Sequence, residues 1–316
     1  MNRKTAWLST CLLVMLAITT CKSSQASQKN KPTIKLAENS WLNAQLNTSV
    51  ARILLEEEMG YPVEVVPIDG GGQFPAIANG DIHASLEVWP SGRTEEIQQY
   101  TVQGDTVENG GPLGVVGKIG WFVPGYMLDV YPKLATWEAF QDPEIAALFR
   151  TPETGDKGQL LLADPSWVYY GPDIIETRGL FLQAVYAGSE EALLATLDEA
   201  YSKREPLLFY FWTPHPAFAQ YELAQVELSA HGEACAAKTE GESWDCGYPP
   251  DVLIKIFSFD LSDYAPGAYQ FLKNFNYSNK DQIMMLGLAE VQGQTIEQAA
   301  RTWIEQNKNV WRAWIP

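Results

Sequence analysis

Apolar and polar positions alternate in a regular way along the chain after residue 32. Short apolar runs rich in β-branched residues at 33–37, 61–68 and 82–88 predict strands. Between the first two, apolar residues recur at helical spacing over 50–55, and Gly60 ends this helix. Strands that alternate with helices of this length predict βαβ units and a mostly parallel sheet, so we expect an α/β fold.

The same alternation continues through the rest of the chain. Further apolar runs predict strands at 115–123, 160–163, 207–212, 226–228 and 252–257. Thr136 and Ser189 stand where helices are expected to begin. Ser278 and Thr295 are each followed three residues later by Asp or Gln, which predicts capping boxes at the starts of two helices in the last third.

The N-terminal segment has the pattern of an export signal. Two basic residues precede an apolar run at 6–18, which is shorter than the roughly 20 residues that a membrane-spanning helix needs. The run ends in a sequence that resembles a lipobox, so we expect residues 1–20 to be a signal peptide, Cys21 to carry a lipid, and 21–32 to form a tether. Cleavage after Ala26 is the alternative, and it would give a soluble periplasmic protein.

Charge and motif content exclude several classes of function. The chain has 39 Asp and Glu against 22 Lys and Arg, a formal net charge of −17, which argues against nucleic acid and anionic membrane surfaces as partners. The triplet Gly70-Gly71-Gly72 lacks the Lys-Ser/Thr of a phosphate-binding loop, and there is neither a Gly-x-Ser-x-Gly nor a His-Glu-x-x-His motif. We therefore expect neither an enzyme nor a cofactor.

Two cysteines remain once Cys11 and Cys21 are assigned to the N-terminal segment. Cys235 and Cys246 are close in sequence, and in an oxidising compartment such a pair predicts a disulfide. A zinc site with His231 is the alternative, although two sulfurs and one imidazole at this spacing are a weak metal signal. We expect no metal.

Tryptophan is unusually frequent, with 11 in the chain, and several follow predicted strands. Trp41, Trp89 and Trp212 each lie at or just after a strand end. In parallel α/β sheets the carboxyl ends of the strands face the ligand crevice, so these rings can meet around one point. Several indole faces around a point suit a quaternary ammonium group, which has no N–H to donate. Packing in a core is the alternative for each ring.

Four segments give the chain a family resemblance. They are Asn39-Ser40-Trp41, the stretch 80–90, Trp212-Thr213-Pro214-His215 and Phe271-Leu272-Lys273. In this order and spacing the chain, from about residue 33 to 316, resembles the substrate-binding proteins of ABC importers for glycine betaine, choline and related quaternary amines.

The resemblance implies a two-lobed periplasmic-binding-protein fold of type II, with two crossover strands and the ligand in the cleft between the lobes. The first lobe is expected at 33–118 plus 217–316, and the second at 119–216. A membrane-embedded ABC permease is the expected partner of the closed form. We expect the binding protein itself to be a monomer.

The resemblance also implies roles for particular residues. It places an aromatic cage on the strand-end tryptophans, with further aromatic candidates near them: Trp41, Trp89 and Trp212, then Trp121, Tyr126 and Trp167. His215 is expected to hydrogen-bond a ligand carboxylate, and a helix-start residue that bonds the backbone is the alternative. Choline binders of this type tend to have an acid where this chain has Asn43, so Asn43 favours a zwitterion such as glycine betaine. Glu87 can supply a negative charge near the cation, and a buried acid bonded to the backbone or a surface rim residue is the alternative.

Other ligands and functions stay open at this point. Choline, carnitine and proline betaine are alternative ligands for such a cage. A secreted enzyme or a ligand sensor on the same two-lobed scaffold is the alternative to an import component.

Overall fold

A computed structural model of the chain describes residues 31–104, 106–167, 169–232, 235 and 244–316. The predicted signal peptide, the lipid on Cys21, cleavage after Ala26 and almost all of the tether lie outside these residues. Pro32–Pro316 form one compact unit. Among the helices of the described part, none has the length and apolar character needed to cross a membrane.

The strands of the described residues form one mixed sheet with the order β2-β1-β3-β9-β4-β7-β5-β6, and β8 pairs with β4. Their bounds are β1 Ile34–Glu38, β2 Val63–Pro67, β3 Ala84–Val88, β4 Val107–Pro124, β5 Gly158–Leu162, β6 Leu182–Tyr186, β7 Phe209–Thr213, β8 Leu223–Val226 and β9 Pro250–Ser258. The pairs β1–β2, β1–β3, β5–β6 and β5–β7 are parallel, whereas all pairs that involve β4 or β9 are antiparallel. The expectation of a mostly parallel sheet thus applies to its two ends and not to its middle.

Helices connect the parallel strands and cover the C-terminal third. Their bounds are α1 Leu42–Glu57, α2 Gln73–Ala78, α3 Thr94–Glu96, α4 Tyr126–Val130, α5 Pro143–Ala146, α6 Gly171–Arg178, α7 Glu190–Lys203, α8 Ala217–Gln220, α9 Leu261–Tyr264, α10 Pro266–Asn274, α11 Asn279–Glu290, α12 Ile296–Gln306 and α13 Lys308–Trp311. A π-helical segment, Ile97–Gln103, follows α3, and short 3-10 turns such as Pro90–Gly92 and Trp137–Gln141 join other elements.

The apolar side chains separate into two large cores. One contains residues between 34 and 115 and between 253 and 314, and the other contains residues between 119 and 226 together with Tyr248. A smaller cluster that includes Phe74 and Ile256 packs around β1, β3 and β9. Strand β4 passes from the first large core to the second between Val115 and Ile119, because its early residues pair with β9 and its later residues pair with β7 and β8.

Local sequence signals explain where several helices begin. The Ser189 hydroxyl accepts a hydrogen bond from the Ala192 N–H at the start of α7, and both expected capping boxes, at Ser278 and at Thr295, are present. Thr136 makes no capping hydrogen bond, and a 3-10 turn takes the place of the expected helix.

Candidate ligand-binding site

A cavity opens where the carboxyl ends of several strands come together. The centre of a water-sized sphere can occupy about 70 Å³ of this cavity. Since one water needs about 10–15 Å³ by this measure, the cavity suits a compact ligand and not a peptide or a sugar chain. Its lining is mainly aromatic: Trp41, Trp89, Trp167, Trp212, Tyr170, Tyr210 and Tyr248, with Gly70, Gln73, Ser91, Gly92, Arg93 and Ile119.

Four tryptophans line this cavity, and we call Trp41, Trp89, Trp167 and Trp212 the tryptophan box. The ring centroids of Trp41 and Trp167 lie 5.7 Å apart with an interplanar angle of 85°, and those of Trp167 and Trp212 lie 5.2 Å apart at 79°. Edge-to-face contacts of this kind are favourable for aromatic pairs, and they set neighbouring ring faces at right angles to each other. The structure thus brings together the three main tryptophans of the expected cage and one of the lesser candidates.

The topology of the sheet places these four rings at strand ends in two pairs. Trp41 precedes α1 after β1, Trp89 follows β3, Trp167 lies in the turn after β5, and Trp212 lies near the end of β7. Strands β1 and β3 are parallel, as are β5 and β7, so within each pair the carboxyl ends point to the same edge of the sheet. Gly117 of β4 lies against the ring of Trp89, and a Cβ atom at this position would overlap the ring carbons.

Glu87 lies next to the tryptophan box without lining the cavity. Its side chain is buried, with 1% of the residue exposed. Its Oε1 accepts hydrogen bonds from the indole N–H groups of Trp41, at 2.6 Å, and Trp89, at 3.0 Å. Its Oε2 accepts from the side-chain amides of Asn47 and Gln282. Glu87 therefore fixes the orientation of two walls of the box.

The charge of Glu87 is set by two opposing effects. Burial raises the pKa of its carboxyl to about 7, whereas the four hydrogen bonds lower it. All four partners are N–H donors, which an ionised carboxylate can accept without conflict. An ionised Glu87 places a negative charge close to the rings, as expected for a site that holds a cation.

His215 is buried, and both of its ring nitrogens are engaged within the protein. Nδ1 accepts a hydrogen bond from the Ala217 N–H at 3.1 Å, so Nε2 carries the proton and donates to Glu190 Oε1 at 3.0 Å. The other oxygen of Glu190 accepts from the Leu42 N–H at the start of α1. A bond from His215 to a ligand carboxylate, as the resemblance implies, would require one of these contacts to be given up.

Asn43 and two of the aromatic candidates also lie outside the cavity lining. The Asn43 side chain is fully buried and donates to the carbonyl of Pro214 and to Gln282. Trp121 is fully buried in the second core, in contact with Phe140. The Tyr126 hydroxyl donates to the carbonyls of Ala200 and Glu205. These residues support the walls of the molecule and do not face the site.

The glycine triplet makes room in the cavity, but two of its N–H groups are not free to bind an anion. The N–H groups of Gly71 and Gly72 both donate to Asp69 Oδ1, at 2.8 and 2.7 Å. The nearby turn Pro90–Gly92 is held by Asp251, whose carboxylate accepts from the N–H and the hydroxyl of Ser91. These contacts shape the polar end of the cavity, where Arg93 lies.

Several lining residues were not predicted. Arg93 is the first basic residue after Trp89-Pro90, and this adjacency to a cage tryptophan is a signal that sequence reasoning could have used. Tyr170 is three residues from Trp167, but Tyr210 and Tyr248 carry no local signal. Their place depends on the long-range contacts of β7 and of the segment before β9.

A disulfide lies beside the tyrosines of the lining. It joins Cys235 to Cys246, as the sequence predicts, so these sulfurs are not available to a metal as thiolates. Trp244 precedes Cys246 by two residues, and its ring stacks on Tyr170 with centroids 4.0 Å apart. The cross-link therefore constrains a segment that packs against the cavity wall.

Comparison with known families decides the membership of the chain. Residues 32–306 match the family model OpuAC, described as the substrate binding domain of ABC-type glycine betaine transport systems. The chain belongs to the OpuAC family. As a member it is the substrate-binding component of an ABC transport system, and proteins of the OpuAC family act outside the cytoplasm. The expected family resemblance and transport function are confirmed.

Individual relatives agree with this assignment. A trimethylamine N-oxide-binding protein of Pelagibacter ubique is 27% identical over 308 residues, which cover 95% of both chains. Lactococcal OpuAC in a closed complex with glycine betaine superposes with a TM-score of 0.71 at 20% identity, covering 90% of this chain and 100% of that one. A choline-binding protein in complex with choline gives a TM-score of 0.69 at 20% identity, covering 90% and 92%. These structures confirm the fold class, the type II periplasmic-binding-protein fold.

Proposed function

We propose that this OpuAC-family chain captures a compact compound with a trimethylated nitrogen, either glycine betaine or trimethylamine N-oxide, inside the tryptophan box. The observation that carries the proposal is the meeting of four indole rings at one cavity, with edge-to-face contacts between Trp41, Trp167 and Trp212. A methylated ammonium group has no N–H to donate and is bound by ring faces and methyl contacts. Each desolvated ring contributes about 2 kcal/mol.

The size of the cavity and the relatives support the choice of ligands. The small cavity volume favours compounds of a few heavy atoms over carnitine or larger betaines. The relative with the widest sequence coverage reported above is named for trimethylamine N-oxide, and the family model for glycine betaine.

We further propose that the molecule closes around the ligand as two lobes, at 33–118 plus 217–316 and at 119–216. The change of apolar core between Val115 and Ile119 supports the boundary at 118, whereas the second core reaches past 216 and includes Val226 and Tyr248. Among the described residues, several hydrogen bonds connect the proposed lobes beside the cavity. They run from the Leu42 N–H to Glu190, from the Asn43 amide to the Pro214 carbonyl, and from the Tyr170 hydroxyl to the Ser91 carbonyl.

The remaining parts of the proposal follow from this role. The closed form would dock as a monomer on a membrane permease. A lipid on Cys21 would hold the mature protein at the membrane, whereas cleavage after Ala26 would give a soluble periplasmic protein. Binding without catalysis is supported by the lining, whose titratable residues are Arg93 and three tyrosines. Burial raises the pKa of Tyr170 to about 12 and that of Tyr210 and Tyr248 as well, so none of the three is a base near neutral pH.

Isothermal titration calorimetry on the mature protein tests the proposal. We expect saturable binding of glycine betaine or trimethylamine N-oxide, with weaker binding of choline and carnitine. Ammonium chloride and glycine, which lack the methyl groups, serve as matched controls and are expected to give no heat of binding. The proposal is wrong if none of the methylated compounds binds, or if glycine binds as tightly as glycine betaine.

A further inference from the structure

Arg93 occupies the polar end of the cavity, immediately after the turn that follows Trp89. It lines the cavity together with Gly70, Ser91 and Gly92, and only 13% of its side chain is exposed. The absence of side chains on Gly70 and Gly71 makes room for it, because a Cβ atom on Gly70 would lie 2.8 Å from Nη2 of Arg93. The guanidinium is thus a built part of the site and not a surface group that folds over it.

The guanidinium has hydrogen-bonding capacity left over. Nη1 donates to Glu96 Oε1 at 2.9 Å, an ion pair between neighbours on the same turn. Nε and Nη2 donate to no group among the residues that the structure describes. A guanidinium has five N–H donors in a planar fork, and charge-assisted bonds to an anionic oxygen are its strongest interactions.

The charges around the cavity are arranged as two poles. Glu87 lies behind the indole N–H groups of Trp41 and Trp89. Among the described lining residues Arg93 is the one that is charged, and Glu96, Asp69 and Asp251 lie outside the lining at the same end. A ligand that is only a cation gains from the rings but is repelled by the Arg93 guanidinium. A ligand with both a trimethylated nitrogen and an anionic oxygen is complementary to both poles.

We propose that Arg93 binds the anionic oxygen of the ligand and selects zwitterions over plain cations of the same shape. This inference rests on the function proposed above and adds the residue that recognises the negative pole. The sequence resemblance gave this task to His215, whose nitrogens are both engaged with Ala217 and Glu190. Arg93 needs no rearrangement of such contacts.

Trimethylamine N-oxide and tetramethylammonium provide a matched pair of probes. They have nearly the same shape, and differ in that an anionic oxygen in one is a methyl group in the other. The dissociation constants of both should be measured by calorimetry for the wild-type protein, Arg93→Gln, Arg93→Lys and the surface control Arg301→Gln. Arg301 forms exposed ion pairs with Glu57 and Glu297 and does not line the cavity. Arg301→Gln removes one positive charge, as Arg93→Gln does.

The inference predicts that the wild-type protein prefers trimethylamine N-oxide. Arg93→Gln should weaken its binding about tenfold or more, the size expected for one charge-assisted hydrogen bond. Arg93→Gln should bind tetramethylammonium as tightly as the wild-type protein or more tightly. This result would also show that the tryptophan box is intact. Arg93→Lys should recover part of the lost affinity, and Arg301→Gln should behave as wild type.

Three results would overturn the inference. A wild-type protein that binds both probes equally well shows that the negative pole is not recognised. An Arg93→Gln variant that loses both probes to the same extent shows that Arg93 only shapes the site, and one that loses neither shows that it is not used. If the wild-type protein binds none of these probes and no glycine betaine, the proposed function fails, and the inference fails with it.

Discussion

The two halves of the tryptophan box are held in place by different forces. Trp41 and Trp89 donate their indole N–H groups to the buried carboxylate of Glu87. The indole N–H groups of Trp167 and Trp212 are buried and have no hydrogen-bond partner among the described residues. These two rings are oriented by an edge-to-face contact with each other, 5.2 Å between centroids, and by the surrounding aromatic core.

This difference indicates that the two sides of the box respond differently to pH. Contacts between uncharged rings do not titrate, so the Trp167–Trp212 side is expected to be independent of pH. Hydrogen bonds to a carboxylate depend on its ionisation, so the Trp41–Trp89 side combines orientation with charge. Each side can be tested by substitution of the residues that hold it.

Removal of a ring on either side should have the largest effect. Trp89→Ala and Trp212→Ala are each expected to weaken ligand binding by about 30-fold or more, which corresponds to about 2 kcal/mol for a desolvated ring. Calorimetry measures the loss. Trp137→Ala is the matched control, because Trp137 is outside the cavity lining and packs under Arg178. If either box variant binds normally, that ring does not belong to the site.

Replacement of the Glu87 carboxylate should disturb only one side. In Glu87→Gln the side chain keeps its size, but the new NH₂ group is a donor and faces partners that are themselves N–H donors. We expect binding to weaken about tenfold, the cost of one mispaired buried group and the lost charge. The near-ultraviolet circular dichroism and fluorescence of the indoles report whether Trp41 and Trp89 have moved. Normal affinity in Glu87→Gln would refute the electrostatic part of the comparison.

A smaller loss is expected when space under Trp89 is filled. Gly117→Ala places a methyl group against the ring, and overpacking of this kind costs about 1–3 kcal/mol, which should weaken binding at least about fivefold. Gly287→Ala is the control, since a Cβ at Gly287 in α11 would meet no atom within 4 Å. Equal affinities of the two variants would show that the position of Trp89 is not critical.

The pH dependence should be the smallest effect, and it should belong to the Glu87 side alone. The pKa of Glu87 is raised from 4.5 to about 7, and a cationic group favours the ionised form, so affinity should rise several-fold between about pH 6 and 8. The same raised pKa means that the stability of the free protein contributed by Glu87 falls as pH rises from about 4.5 through 7. Titrations and thermal unfolding of wild type and Glu87→Gln at several pH values measure both trends. Identical pH profiles for the two proteins would contradict the assignment.

The sequence predicted the tryptophans of the box better than the polar residues that hold them in place. Trp41, Trp89 and Trp212 follow predicted strands, and the strands were visible as apolar runs, so their meeting could be expected from topology alone. The hydrogen bonds of Glu87 could not, because Trp41, Asn47 and Gln282 lie 46, 40 and 195 positions away from it in the chain. His215 shows the same limit, since its bond to Glu190 joins residues 25 positions apart.

The fold was predictable where local pattern decides it. The helix caps at Ser189, Ser278 and Thr295 were visible in the sequence. The first part of β4 was not, because Gly110, Gly111 and Pro112 do not have the composition of a strand. Its pairing with β9, which has register shifts at this point, is a tertiary effect. Strand β6 was missed for a different reason, since its short sequence mixes buried Leu182 and Val185 with exposed Gln183 and Tyr186.

A crystal structure of the complex with trimethylamine N-oxide tests the central claim most directly. The account predicts that the methylated nitrogen lies within about 6 Å of the centroids of the four box rings, the range of cation–π contacts. The oxygen should point to the Arg93 guanidinium, and Trp41 and Trp89 should keep their bonds to Glu87. A ligand bound outside the tryptophan box, or one whose nitrogen contacts carboxylates and not ring faces, would contradict the account.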